Sequence, residues 1–195
     1  GAGAWGEVGA TEATYAHVPD AAAVWQYRAL VQSGVCTSEY SAVHSITVYP
    51  VSVGGSLSAS LSSICEGENT GTITLSSYTG TIVKWQRRKD GGSWVDIAHT
   101  GATYSEILDI DGVYEYRVEI QSGVCSSAYS SIHTVTVNES PVITGHPVAQ
   151  SVDEGYPASF TVTATGSALT YQWQENTGAI WADITGATSA TYSIS

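Results

Sequence analysis

The feature that most constrains this chain is that it says the same thing twice. The phrase WQYRALVQSGVCTSEYSAVHSITV, Trp25 to Val48, returns as YEYRVEIQSGVCSSAYSSIHTVTV, Tyr114 to Val137. The shared core QSGVC begins at Gln32 and at Gln121, an offset of 121 − 32 = 89, and the offset holds without a gap at Trp5/Trp94, Tyr15/Tyr104 and Thr47/Thr136. A fixed period of this length means repeated structural units rather than one large domain. Within the second copy, Tyr114, Tyr116 and Val118 alternate with Glu115, Arg117 and Glu119, so one face of an extended segment is apolar and the other charged. Ser122-Gly123 breaks the run and a second alternation ends at Val135 and Val137. The pattern predicts a long β-hairpin at the end of each unit.

The period divides the 195 residues into three pieces: residues 1–50, the later half of a unit; 51–138, a complete unit; and 139–195, the early part of a third. Residue 1 aligns with Asp90, in the middle of the second unit. The phrase TYQWQENTGAIWADITGATSATYS, Thr170 to Ser193, matches VKWQRRKDGGSWVDIAHTGATYS, Val83 to Ser105, and no terminal hairpin follows it. The chain is therefore expected to be a window on a longer polypeptide, its outer pieces completed by neighbouring domains of that chain or by an adjacent copy in a filament. No apolar run is long enough to span a membrane.

Turn signals space the strands of the complete unit. Ser56 to Ser62 reads as a weak first strand, Cys65 to Asn69 as a polar turn, Thr72 to Ser76 as a second strand and Ile82 to Arg88 as a third. Asp90-Gly91-Gly92 marks a tight hairpin before Trp94 to Ile97. In the first piece, Trp5 to Val8 and Thr14 to Val18 read as strands ahead of the hairpin. Pro50 cannot donate to a β-ladder, which suits a junction. Short strands with no helical period give an all-β sandwich.

Composition removes several partner classes. Six Lys+Arg stand against eighteen Asp+Glu, a formal net charge of −12. A surface this acidic does not attract nucleic acid or anionic membrane. No GxSxG phrase is present, the five histidines are scattered singly, and Glu115 and Glu119 share the outward face of a strand, where solvated charges are expected. One acidic group is a candidate for binding. Glu66 and Glu68 in the first inter-strand loop, with Asp109 and Asp111 ahead of the terminal hairpin, supply oxygen ligands that could hold Ca²⁺ if the two loops share one end; the alternative is two solvated polar turns.

Of three cysteines, Cys36 and Cys125 are equivalent by the repeat and Cys65 lies in a half-unit the first piece does not contain. A Cys65–Cys125 bridge would close a loop of about 60 residues and stabilise by roughly 4 kcal/mol on the chain-entropy model. A simple sandwich, however, places the two at opposite ends.

The third piece opens PVITGHPVAQSVDEGYPASFTVTATGSALTYQW, with a Pro-led first strand, the turn Asp153-Glu154-Gly155, alternating Phe160, Val162 and Ala164, and Trp173 beyond. It resembles the early strands of an immunoglobulin-like domain. The resemblance implies tandem immunoglobulin-like β-sandwich domains, with Trp85 and Trp173 between the sheets and Leu75 and Tyr116 beside Trp85. Positions where that family often carries a bridged cysteine pair are Val162 and Tyr116 or Tyr27 here, so the tryptophans are expected to pack on aliphatic and aromatic neighbours. The full run of phrases, KWQ or YQW, GGSW, TGATY and YRxxxQSGVCSS, is similar to the tandem repeats of large secreted surface adhesins of the Bacteroidota, often exported by the type IX route. That resemblance implies an extracellular, non-enzymatic, structural or adhesive stalk, with surface polysaccharide or protein as a partner. The competing expectation is a set of accessory domains, polysaccharide-binding, of a secreted hydrolase.

Overall fold

The computed structural model describes residues 5–176, 178 and 180–194. Residues 1–4 and 195, at the edges of the expected first and third pieces, and Thr177 and Ala179 inside the third, lie outside the described residues.

Residues 51–138 form a two-sheet sandwich, and its larger sheet is built on the strand with the cleanest alternation. Gly112–Gln121 buries Tyr114, Tyr116, Val118 and Ile120 in strict every-other order and turns Glu115, Arg117 and Glu119 outward. A period of two is what a strand needs to present one apolar face. Gly112–Gln121 is flanked by Thr81–Lys89 on one side and His133–Asn138 on the other, both antiparallel, and Val95–Ile97 continues beyond Thr81–Lys89. The hairpin between Thr81–Lys89 and Val95–Ile97 turns at Asp90 and Gly91, whose φ values of 51° and 69° define the mirror-image turn that matches strand twist. Gly92 N–H closes it on the Lys89 carbonyl at 2.9 Å.

The second sheet is smaller: Thr103–Tyr104, Ile73–Ser76 and Ser56–Ser58. Between the sheets lies one buried cluster containing Trp85, Leu75, Tyr116, Ile73, Ile64, Leu108, Val118, Ile120, Val135 and Val137 among others. Trp85, Tyr116, Ile73, Val118, Ile120 and Val135 have no exposed surface at all. Each fully buried aliphatic side chain in such a cluster is worth about 1.5–3 kcal/mol over leaving it in water. The Trp85 indole N–H is not orphaned, since it donates to the Gly101 carbonyl at 2.9 Å.

One expected turn is in part a strand. Ser63–Cys65 runs parallel to the end of the chain's last strand in this unit, with Ser63 opposite Thr136 and Cys65 opposite Asn138. Its own sequence is Ser-rich and a weak strand former. Pairing comes from the partner, because Ile64 is carried into the core while the flanking Ser63 and Cys65 stay exposed. The turn shrinks to Glu66-Gly67, after which Glu68–Asn69 pairs with Ile107–Leu108.

In the first piece the hairpin forms and the strands ahead of it do not. Ala23–Tyr27 pairs with His44–Val48 in the register Trp25↔Ile46, Tyr27↔His44, matching Tyr114↔Val135, Tyr116↔His133 at the offset of 89. Trp5 to Val8 and Thr14 to Val18, expected as strands, lack strand structure. Their counterparts in the second unit, Val95–Ile97 and Thr103–Tyr104, are held by Thr81–Lys89 and Ile73–Ser76, for which residues 1–50 contain no equivalent. A two-residue strand without a ladder partner has nothing to fix it.

The third piece repeats the early part of the sandwich. Ala158–Thr161 pairs with Thr191–Ile194, Val142–Gly145 with Thr163–Thr165, and Gln174–Asn176 with Trp181–Asp183. Trp173 is half-buried, with Phe160 and Tyr192 ring centroids 6.4 and 6.1 Å away, and its indole N–H donates to the Ser189 carbonyl at 2.8 Å. The donor-to-acceptor spacing is sixteen residues, as for Trp85 and Gly101.

Candidate functional site

Three places could carry chemistry: the acidic end, the outward face of the large sheet, and the junction between the first two units.

At the acidic end the two loops do meet, and the two glutamates are engaged with backbone. Glu66 Oε1 accepts from the Asp111 N–H at 3.1 Å, Glu68 Oε2 from the Cys65 N–H at 3.4 Å, and the Gly67 N–H donates to the Leu108 carbonyl at 2.8 Å. Glu66 thus fastens the Asp109-Ile110-Asp111 corner, and the Tyr114 hydroxyl donates to the Ile110 carbonyl at 3.1 Å from the other side. Among the described residues no three His, Cys, Asp or Glu side chains converge as a metal site would require. Glu66 and Glu68 thus act as a loop clasp at the end where the calcium expectation placed its ligands, with Asp109 and Asp111 on the corner that Glu66 fastens.

The expected Cys65–Cys125 bridge is corrected. All three cysteines are free thiols. Cys65 lies opposite Asn138, next to the Gly112–Val137 end of the sheet, whereas Cys125 follows Gln121 at the other end of that ten-residue strand. Ten residues at 3.3 Å each separate the ends by roughly 30 Å, far beyond the reach of a disulfide. The Cys125 thiol instead donates to the Pro50 carbonyl at 3.5 Å.

On the outward face, a guanidinium lies between two aromatic rings. The Arg117 guanidinium carbon is 4.2 Å from the Trp94 ring centre and 3.9 Å from that of Tyr129. Arg28 makes the same stack between Trp5 at 4.2 Å and Tyr40 at 3.8 Å. Around Arg117 runs a ladder of charges: Arg88 forks onto Glu115 at 2.7 and 3.0 Å, Lys84 bridges Asp96 and Glu119, and Gln86 links Arg117 to Asp96. The Arg88 hydrogen bond holds the Glu115 carboxyl below its usual range. Unlike Trp85, these tryptophans lie outside the core. The signal that would have placed them outside was present, since Trp, Arg and Tyr recur together at the same offset in both copies.

Beneath that face one polar group reaches the core. The Tyr116 hydroxyl donates to Glu106 at 2.8 Å, and Arg87 pairs with the other Glu106 oxygen. Burial, with Glu106 beside it, pushes the Tyr116 hydroxyl far above the ordinary phenol range. In the first piece His17 stands where Glu106 does, and its ring nitrogen meets the Tyr27 hydroxyl at 3.1 Å.

At the junction, the Tyr49 ring lies flat against the hairpin tip of the next unit. A Cβ on Gly123 would sit 2.3 Å from that ring, so only glycine permits the contact, and Gly123 also holds φ at 52°. Ser52 Oγ accepts from the Ser122 N–H at 2.9 Å, and Val53 exchanges two backbone hydrogen bonds with Thr79. No helix among the described residues is long and apolar enough to cross a membrane.

Comparison with known proteins fits this architecture. Two stretches, residues 2–50 and 53–139, match the family described as "Domain of unknown function (DUF8696)", and the chain belongs to that family. Among solved structures, a three-Ig-domain segment of titin in an E-to-A mutated variant aligns with TM-score 0.53 and 15% identity, over 83% of this chain and 57% of that one. Extracellular domains 3–5 of Drosophila OTK align at 18% identity and TM-score 0.29, over 69% of this chain and 53% of that one. The chain thus spans a little over half the length of the structures it matches. No curated protein matches the sequence. The fold is an all-β, immunoglobulin-like β-sandwich.

Proposed function

We propose that this chain is a non-enzymatic structural and adhesive segment of a long extracellular repeat protein, serving as a stalk or filament at a cell surface. One observation carries the reading: the polypeptide enters the complete unit at one end and leaves at the other. Ser52 is fixed to Ser122 at the hairpin-tip end, while Asn138 lies against Cys65 beyond Gly112. Consecutive units of this kind extend head to tail by roughly 30 Å or more each, the length of the strand between those ends. The Tyr49–Gly123 contact favours a stiff joint over a free hinge. The resemblance of the repeat phrases to Bacteroidota surface adhesins exported by the type IX route agrees with an extracellular stalk.

The hydrolase-accessory reading needs an aromatic platform open to a sugar. Trp85 is buried, the Trp94 ring is covered by Arg117 and Arg88 and the Trp5 ring by Arg28, so the strongly exposed indole is Trp181, one ring rather than a platform. The stalk is therefore favoured.

Small-angle scattering tests the shape. A compact globule of this length would have a radius of gyration near ~16 Å; a head-to-tail rod should exceed it clearly, with a long-tailed distance distribution. A value at the globular figure would overturn the stalk. Antibody labelling of intact cells tests location, and labelling that appears only after permeabilisation would overturn the extracellular assignment.

A further inference from the structure

The two hairpins offer the same side chains to different surroundings, and the second shows what belongs over the first. Ile120 and Val135 have no exposed surface; their counterparts Val31 and Ile46 are 64% and 54% exposed. The hydrogen bonds of the two tips are nevertheless the same. Gln32 and Gln121 each donate to the carbonyl of the following cysteine, at 3.1 and 2.9 Å. Ser41 and Ser130 each accept a backbone N–H at their hydroxyl, from Ala29 and from Val118. The first hairpin is therefore built to the pattern of the second and lacks its cover.

That cover is specified residue by residue. In the second unit, Thr81–Lys89 pairs with the outer edge of Gly112–Gln121, Ser63–Cys65 pairs in parallel with the last strand, and Leu75, Ile73 and Trp85 close the apolar face. In the first, neither the edge of Ala23–Tyr27 nor that of His44–Val48 has such a partner among the described residues. We propose that the face and two edges of residues 23–48 are an acceptor for a polypeptide segment of the kind that residues 51–89 form, completing a sandwich by the pairing seen in the second unit. The occupant is a first-half repeat segment, not a second copy docking through residues 140–194. The early strands of that third piece carry different phrases and pair Ala158–Thr161 with strand Thr191–Ile194 of their own. This deepens the stalk reading, because a segment of this kind is how one unit of an array would be joined to the next.

The period supplies the test. Residue 1 is in phase with Asp90, so residues 51–89 can be joined directly ahead of Gly1 in the full chain and restore an uninterrupted repeat. The added copy should carry Arg87→Gln, because His17 stands where Glu106 would hold that arginine. Amide hydrogen exchange at residues 24–27 and 44–48 should then slow by at least ~100-fold. Trp85→Ala in the added copy alone should abolish the slowing. Unchanged exchange at those amides, with residues 112–137 still protected, would overturn the proposal. So would protection in the unextended chain that rises with its concentration, which would identify a second copy as the occupant. If the extended chain does not stay soluble, a peptide of residues 51–89 added to the full chain should bind, and Ile46→Asp should remove that binding; no binding, or equal binding to Ile46→Asp, overturns it. None of these outcomes alters the scattering test, so failure here is separable from failure of the stalk.

Discussion

Residues 23–48 and 112–137 are near-copies in sequence and in register, yet one is the centre of a core and the other lies open to solvent. What they share is everything that can be satisfied locally. Backbone pairing, the glycine at positive φ, the glutamine at the tip, and the arginine between two rings need only residues within the same half-unit. What differs is burial, which depends on a segment the first half-unit does not carry. Register is thus set by the hairpin and its turn, while stability rests on the covering sheet.

The sharpest way to break that comparison is to remove the centre of the cover. Trp85→Ala deletes a ring with no exposed surface and frees the Gly101 carbonyl, and should cost the second unit roughly 3–5 kcal/mol in denaturant unfolding. Exchange at residues 23–48 should not respond. A loss under ~1 kcal/mol would mean that the core is held elsewhere.

A matched pair sharpens it further. Ile120→Ala should cost about 2–5 kcal/mol, whereas Val31→Ala at the same repeat phase should stay within about 0.5 kcal/mol. Equal effects would show that the first hairpin is already covered in solution.

The repeat, both hairpins and the Asp90-Gly91 turn were legible in the sequence because each is a local signal: a period, an alternation, a pair of turn residues. Trp85, Leu75 and Tyr116 share one core because their phase in the strands fixes their face. What was not legible depended on distant partners. Ser63–Cys65 became a strand only through Thr136–Asn138, and Glu66 was claimed by a backbone N–H forty-five residues away. Trp5 to Val8 has strand-like neighbours in its copy but no ladder to join. The separation of Cys65 from Cys125 follows from the strand between them, which argues that topology outweighs cysteine count.

The glycines at the two tips isolate the junction. Gly34 and Gly123 hold φ at 55° and 52°, so alanine at either should cost about 1–2 kcal/mol locally. Only at Gly123 would the new methyl also meet a ring, that of Tyr49. Gly123→Ala should shift the Tyr49 ring resonances and loosen the joint, seen as broader interdomain distances in scattering, and Gly34→Ala should leave both unchanged. Identical behaviour of the two variants would mean that Tyr49 does not hold the junction.

The smallest expected effect is electrostatic, and its sign follows from the outward face. Glu115 is held below its usual pKa by the Arg88 hydrogen bond, Asp96 by Gln86 and then Lys84, and Asp90 by Lys89 and then the Val113 N–H. A carboxyl whose folded pKa is depressed contributes stability that is complete above its unfolded value. That contribution is lost as pH falls through the folded one. The second unit should therefore weaken progressively in acid below the ordinary carboxylate range, and because Asp90 and Asp96 are exposed and Glu115 is only partly buried the slope should be shallow and reduced by salt. Glu115→Gln should flatten it in part. In the first hairpin Gln26 already occupies that position, so acidification should leave the exchange rates of Ala23–Tyr27 unchanged beyond the intrinsic effect of pH on exchange. A steep acid transition that survives both Glu115→Gln and high salt would move the pH-sensitive contact off this face. Glu106, between Tyr116 and Arg87, is then the next carboxylate to replace.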